Sequence, residues 1–206
     1  MNDIRIFLSR KEKKWNNRYF NKGFKKRLVE ILGNKHLDFG CGFGYLAFLL
    51  AKDFPKSKVY GIDIKKEQIK LGQQKYKLRN LHLKCTGKIA GEFDSISAFF
   101  VMHHLEERTE HYMHEFYKHL SPKGKILIFD FRKVSKVKYK RWHDKKTAMG
   151  EYNEGFEESY SMHNKWTLQK FCSLMEKHGF RALNAEEAGD YWFFYSGEKT
   201  EHESLL

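Results

Sequence analysis

A chain of 206 residues with two prolines, Pro55 and Pro122, has room for one α/β domain with a decoration or two, and excludes a second full domain or a Pro-rich linker. Its three cysteines, Cys41, Cys85 and Cys172, are odd in number and far apart, which excludes a disulfide framework and any CxxC pair. The net charge of +13 sits on two segments: residues 1–30 carry ten Lys or Arg against three acids, residues 132–146 carry eight against one, and the rest is 21 basic to 22 acidic.

Taken from the start, MNDIRIFLSRKEKKWNN has charges on both sides of a short apolar run and lacks the apolar core of a signal peptide. No stretch approaches the ~20 apolar residues of a membrane span, so a cytoplasmic protein is expected. From Asn17 to Leu32, Phe20, Phe24, Leu28, Val29 and Leu32 recur at steps of three and four, which predicts an amphipathic helix with a basic outer face, closed by Gly33 and Asn34. A short strand from His36 to Phe39 runs into a glycine loop. Beyond it, Leu46, Leu49, Leu50 and Phe54 form a helical stripe that Pro55 ends. Lys58 to Ile62 is the next strand, Lys65 to about Leu78 a helix, and Leu81 to Lys84 a third strand. Asp94 to Val101 is apolar enough to be buried on both faces, as parallel strands are.

A helix from Leu105 to Leu120 follows, then a turn at Ser121-Pro122-Lys123-Gly124 and a fifth strand from Lys125 to Phe131. Residues 132–164 are basic, aromatic and glycine-punctuated, without a clear period. A helix resumes near Thr167 and stops at Gly179, and Phe180 to Asn184 and Tyr191 to Tyr195 read as two final strands joined through Gly189. Alternating strands and helices imply a parallel sheet wrapped on both faces. Right-handed crossovers place the loops after the strands on one rim, where open α/β sheets bind ligands.

The segment Leu37-Asp38-Phe39-Gly40-Cys41-Gly42-Phe43-Gly44 lies where the first strand meets the next helix. Glycines suit a sharp turn that a ligand approaches closely, and the free N–H groups at a helix start favour polar or anionic ligand atoms. Asp63, nineteen residues beyond Gly44, ends the second strand, where an acid can accept both hydroxyls of a ribose. The dinucleotide fingerprint is excluded, because its third glycine would fall at Tyr45.

Acid-x-Gly-x-Gly-x-Gly at Asp38, Gly40, Gly42 and Gly44 resembles motif I of the class I S-adenosylmethionine-dependent methyltransferases. Phe93-Asp94 and Pro122-Lys123-Gly124, opening the fourth and fifth strands, also resemble the family. The resemblance implies a doubly wound, mostly parallel seven-stranded sheet with helices on both faces and the last strand antiparallel. It implies S-adenosylmethionine as cofactor, with Asp38 positioning the methionine amino group, Asp63 on the ribose hydroxyls and Ile64 on the adenine. Gly40, Cys41, Gly42, Gly44, Thr86 and Phe99 complete the implied cofactor site. The family's acid after the third strand is missing. Cys85-Thr86-Gly87-Lys88 stands there, so Thr86, a backbone carbonyl or packing alone must hold the adenine.

The methyl acceptor is read from the rest of the rim. His103 and His104 are candidate general bases, since histidine titrates near neutral pH, with capping or packing of the next helix as the alternative. His111, His114 and Glu115 at helical spacing read as a solvated face rather than metal ligands. In the family, insertions after the fifth strand often help to form a lid, so residues 17–32 and 132–164 are expected to cover the acceptor. Tyr139, Trp142, Tyr152, Phe156 and Tyr160 either stack on it or bury the insertion. The reading is an enzyme methylating a small molecule, anionic or aromatic. The alternatives are an RNA methyltransferase gripping phosphates with the basic segments, and a non-catalytic cofactor-binding partner subunit.

Overall fold

The computed structural model describes residues 24–150 and 152–201. The expected helix over 17–32 therefore lies partly outside the described residues, which show α1 at Phe24–Ile31. Seven strands follow in one sheet: β1 Lys35–Phe39, β2 Lys58–Asp63, β3 Leu81–Cys85, β4 Phe93–Phe99, β5 Leu120–Phe131, β6 Phe180–Ala188 and β7 Trp192–Lys199. Their spatial order is β3-β2-β1-β4-β5-β7-β6. β1 to β5 pair parallel, and β7 runs antiparallel to both of its neighbours. The order reverses between β1 and β4, which makes the crevice at their C-terminal ends the place for a ligand.

The alternation of side chains along the strands divides the core into two layers. On one face Leu37, Ile96, Ile126, Ile128 and Phe193 pack with Met113 and Phe116 of α4 (Thr109–His119) and with Phe171 and Met175 of α7 (Leu168–Lys177). On the other, Val59, Leu127, Phe129 and Phe194 pack with Leu28 and Ile31 of α1 and with Leu46, Ala47, Leu50 and Ala51 of α2 (Tyr45–Asp53). α3 (Lys66–Lys75) links β2 to β3.

Three expectations need correction. The helix expected from Leu105 starts at Thr109, because two short 3-10 turns, Met102–His104 and Glu106–Arg108, precede it and Glu106 has φ +49°. The expected turn at 121–124 is an irregularity inside β5, whose pairing jumps from Phe93↔Leu120 to Ser95↔Lys125. Residues 132–164, expected to lack a period, contain α5 (Lys136–Ala148) and α6 (Phe156–His163). The buried positions of α5 are Tyr139, His143 and Lys146, and those of α6 are Ser159 and His163. Both sets have helical spacing, but in polar residues that an apolar stripe does not reveal.

Candidate functional site

The glycine loop is shaped by what it must pass. Gly40 and Gly44 have φ of +69° and +76°, and a Cβ there would lie 2.4 Å from Val101 and 2.5 Å from Leu83. Any other residue is excluded at both by conformation and by space. The N–H groups of Gly40 and Cys41 both donate to the Ile62 carbonyl, at 2.9 and 3.0 Å, tying the loop to β2. Asp63 completes the tie: Oδ2 accepts from Gly42 N–H and Oδ1 from Lys65 N–H, both at 2.8 Å. Each carboxylate oxygen keeps a further acceptor site, so Asp63 is oriented by backbone and still able to take hydroxyl donors.

A cavity of about 500 Å³ opens over this loop, at the ends of β1, β2, β3 and β4. Asp38, Gly40, Cys41, Gly42, Asp63, Ile64, Thr86 and Phe99 all line it. Gly44 stands behind the wall as the residue that starts α2. The Ile64 side chain is 66% exposed, an apolar surface presented to the opening. Thr86 donates its N–H to the Asp63 carbonyl at 2.9 Å and accepts from Lys88 N–H at 3.0 Å, closing the turn after β3. Burial, then the charges of Asp38 and Asp63, push the Cys41 thiol well up, so it stays protonated and serves as wall. Lys65 and Arg108 also line the cavity, and neither has a carboxylate partner among the described residues.

Asp38 is 2% exposed. Its Oδ1 accepts from the Ser97 hydroxyl at 3.0 Å, while Oδ2 has no partner. Burial, with the Asp63 charge behind it, pushes the carboxyl up to about 7, against the pull of the Ser97 hydroxyl and the Ala47 N–H. Beneath it, the fully buried His36 bridges Ser95, 2.8 Å from Nδ1, and Ser97, 3.0 Å from Nε2. Sequence reasoning missed His36, Ser95 and Ser97. The signal was there as period two: positions 36 and 38 of β1 and 95 and 97 of β4 are polar and alternate with Leu37 and Ile96, and they pair in register.

The two candidate histidines part company. His104 lines the cavity, and partial burial followed by the neighbouring His103 pushes it down to about 4. His103 is 3% exposed and lies behind, with Nδ1 2.6 Å from Asp130 Oδ1. Asp130, also missed from sequence, accepts from the N–H groups of Met102 at 2.7 Å and Phe131 at 2.6 Å, so it staples β5 to the turn after β4. Above them α5 and α6 close on the same rim. His163 stacks on Phe131 with 3.9 Å between ring centres and meets the His103 ring edge-on at 4.6 Å. The basic segment is partly neutralised within the chain: Arg132, Lys136, Lys138 and Lys140 pair with Glu187, Glu157, Asp190 and Asp144.

Residues 37–126 match the family described as "Methyltransferase domain". The chain is 36% identical over 81 residues to a "Probable fatty acid methyltransferase" of Pseudomonas putida, covering 35% of this chain and 20% of that protein. It is 32% identical over 101 residues to a "Malonyl-[acyl-carrier protein] O-methyltransferase" of Priestia megaterium, covering 46% of this chain and 36% of that protein. The matched stretches thus span well under half the length of these relatives. Among solved structures, a SAM dependent methyltransferase from Aquifex aeolicus superimposes with a TM-score of 0.63 at 23% identity, over 84% of this chain and 88% of that one.

Proposed function

We propose that this chain, a class I S-adenosylmethionine-dependent methyltransferase by its sheet order and by the domain at residues 37–126, methylates a small anionic molecule of the carboxylate class. The observation that carries the cofactor half is Asp38 Oδ2, a buried oxygen without a partner in the wall of a cavity sized for a nucleoside with an amino-acid tail. That orphaned acceptor fits the ammonium of the methionine part. The oriented Asp63 fits the ribose hydroxyls, and exposed Ile64 fits a flat base. Thr86 and the turn behind it stand where the family's adenine-binding acid is missing, so packing is the main hold on the base.

When bound, the cofactor supplies an electrophilic methyl group on sulfonium. The task left to the chain is alignment of the acceptor and exclusion of water. Phe99, Phe100 and Val101 form an apolar wall at the end of β4, and α5 and α6 stand beside that rim, with His163 against His103 and Phe131. Lys65 and Arg108, without a carboxylate partner among the described residues, bring positive charge to the cavity for an anionic acceptor. His104, held neutral with its pKa near 4, is a weak base. That suits a carboxylate, which is already ionised at neutral pH and needs no proton removed. The names of the two relatives, a "Probable fatty acid methyltransferase" and a "Malonyl-[acyl-carrier protein] O-methyltransferase", support an acid-derived acceptor. The RNA alternative relied on charge that four ion pairs now partly consume.

Calorimetry with S-adenosylmethionine tests the cofactor half. Asp63→Ala removes two charge-assisted acceptors and should weaken binding at least roughly tenfold. Binding by D63A equal to the parent's would sink the assignment.

A further inference from the structure

Apart from Asp38, the buried polar stripe under the cavity has no counterpart in the roles assigned so far. His36, Asp38, Ser95 and Ser97 point to the α1/α2 side of the sheet, opposite to Leu37 and Ile96, and all four are at most 2% exposed. Their hydrogen bonds fix one another's direction. Ser97 donates to Asp38 Oδ1, so its oxygen can only accept from His36, and Nε2 carries the hydrogen. A neutral His36 then has a bare Nδ1, which must accept from the Ser95 hydroxyl. Ser95 in turn accepts from Gly33 N–H at 3.2 Å, just beyond the end of α1. Every donor points towards Asp38. The chain of aligned dipoles runs from Gly33, across β4 and β1, to the carboxylate wall of the cavity.

We propose that Ser97 and His36 are positioning residues for cofactor binding: this one-way chain holds the Asp38 carboxylate by Oδ1 so that Oδ2 stays free for the amino group of the ligand. The proposal rests on the cofactor reading above. The Ala47 N–H of α2 also faces this carboxylate, but Ser97 is its side-chain donor, and a side-chain donor swings unless it is itself held: His36 holds Ser97 while Ser95 holds His36. The chain therefore acts on the amino-acid half of the ligand and leaves the nucleoside half to Asp63, Ile64 and Thr86.

The test uses the full chain and two probes in calorimetry. S-adenosylhomocysteine carries the amino-acid ammonium, and 5′-methylthioadenosine carries the nucleoside without it. Ser97→Ala should weaken S-adenosylhomocysteine roughly tenfold, as expected for one hydrogen bond to a charged group, and leave 5′-methylthioadenosine within about twofold. Ser97→Thr keeps the hydroxyl and should restore binding. Assigned ¹⁵N spectra of the parent should show His36 as the Nε2–H tautomer. Equal weakening of both probes in S97A, an unchanged affinity for S-adenosylhomocysteine, or an Nδ1–H tautomer would overturn the proposal. A parent chain that binds neither probe overturns the cofactor reading itself, and the proposal with it.

Discussion

Asp38 titrates in a window where its charge matters. Burial pushes its carboxyl up to about 7, and around it stand the Asp63 carboxylate, the Cys41 thiol and, through Ser97, neutral His36. A ligand ammonium pairs with the charged form only. An acid of pKa near 7 is mostly protonated at pH 6 and mostly ionised at pH 8, so affinity for S-adenosylhomocysteine should rise roughly tenfold between them. Affinity for 5′-methylthioadenosine, which lacks the ammonium, should stay flat over the same range. Parallel pH profiles for the two probes would show that Asp38 does not face the amino group. At this scale the placement of Asp38, Asp63 and the glycine loop at the cavity was legible, because a sharp turn after one strand and an acid ending the next stand at fixed positions in the chain. His36, Ser95 and Ser97 were not, since their roles come from pairing between strands, with partners 59 and 61 residues apart in the chain.

α5 and α6 are tied to each other by polar contacts centred on Tyr139. The Tyr139 hydroxyl sits 2.6 Å from His163 Nδ1 and 3.2 Å from the Ser159 carbonyl, and it also contacts the Ser159 hydroxyl. Burial pushes this phenol up to about 12, so it stays a donor. Tyr139→Phe keeps the ring but strips His163 Nδ1 of its partner, at a cost of about 1–3 kcal/mol for an unsatisfied buried group. The loss should stay local. Hydrogen exchange should quicken in α5 and α6 and remain unchanged in β1, β4 and β5, which open only with the whole core. A uniform loss of protection, or none, would show that Tyr139 is not the hub of these helices. The five parallel strands and their helices were legible because aliphatic residues mark their buried faces. The inserted helices were not, because Tyr139, His143, Lys146, Ser159 and His163 bury their stripe in polar residues, and only partners elsewhere in the fold make that burial affordable.

For the whole molecule, buried neutral histidines decide how folding responds to acid. Burial pushes His36 down to about 3, and burial with the neighbouring His103 pushes His163 down to about 2. Both regain an ordinary pKa of about 6.5 when the chain unfolds. Below that value the unfolded state binds two more protons than the folded one, so stability is fully present above pH ~6.5 and falls as pH drops. Asp38 acts in the opposite sense. Its folded pKa of about 7 lies above the unfolded value of 3.8, so it adds stability as pH falls through that interval. His104, held down near 4, acts in the same direction as these two histidines, so together they outweigh Asp38 and stability falls as pH drops from 6 to 4.5. Protonation also adds to a net charge already at +13, so self-repulsion acts in the same direction. Urea unfolding at pH 7.5, 6 and 5 should therefore give midpoints that fall steadily, well before ordinary surface carboxylates titrate. His163→Phe keeps a ring to stack on Phe131 and removes one of the two protons, so its stability should vary less with pH than the parent's over the same range. A parent midpoint that holds or rises from pH 7.5 to pH 5 would mean that these histidines are not kept neutral in the fold, and the donor chain to Asp38 would lose the tautomer on which its direction depends.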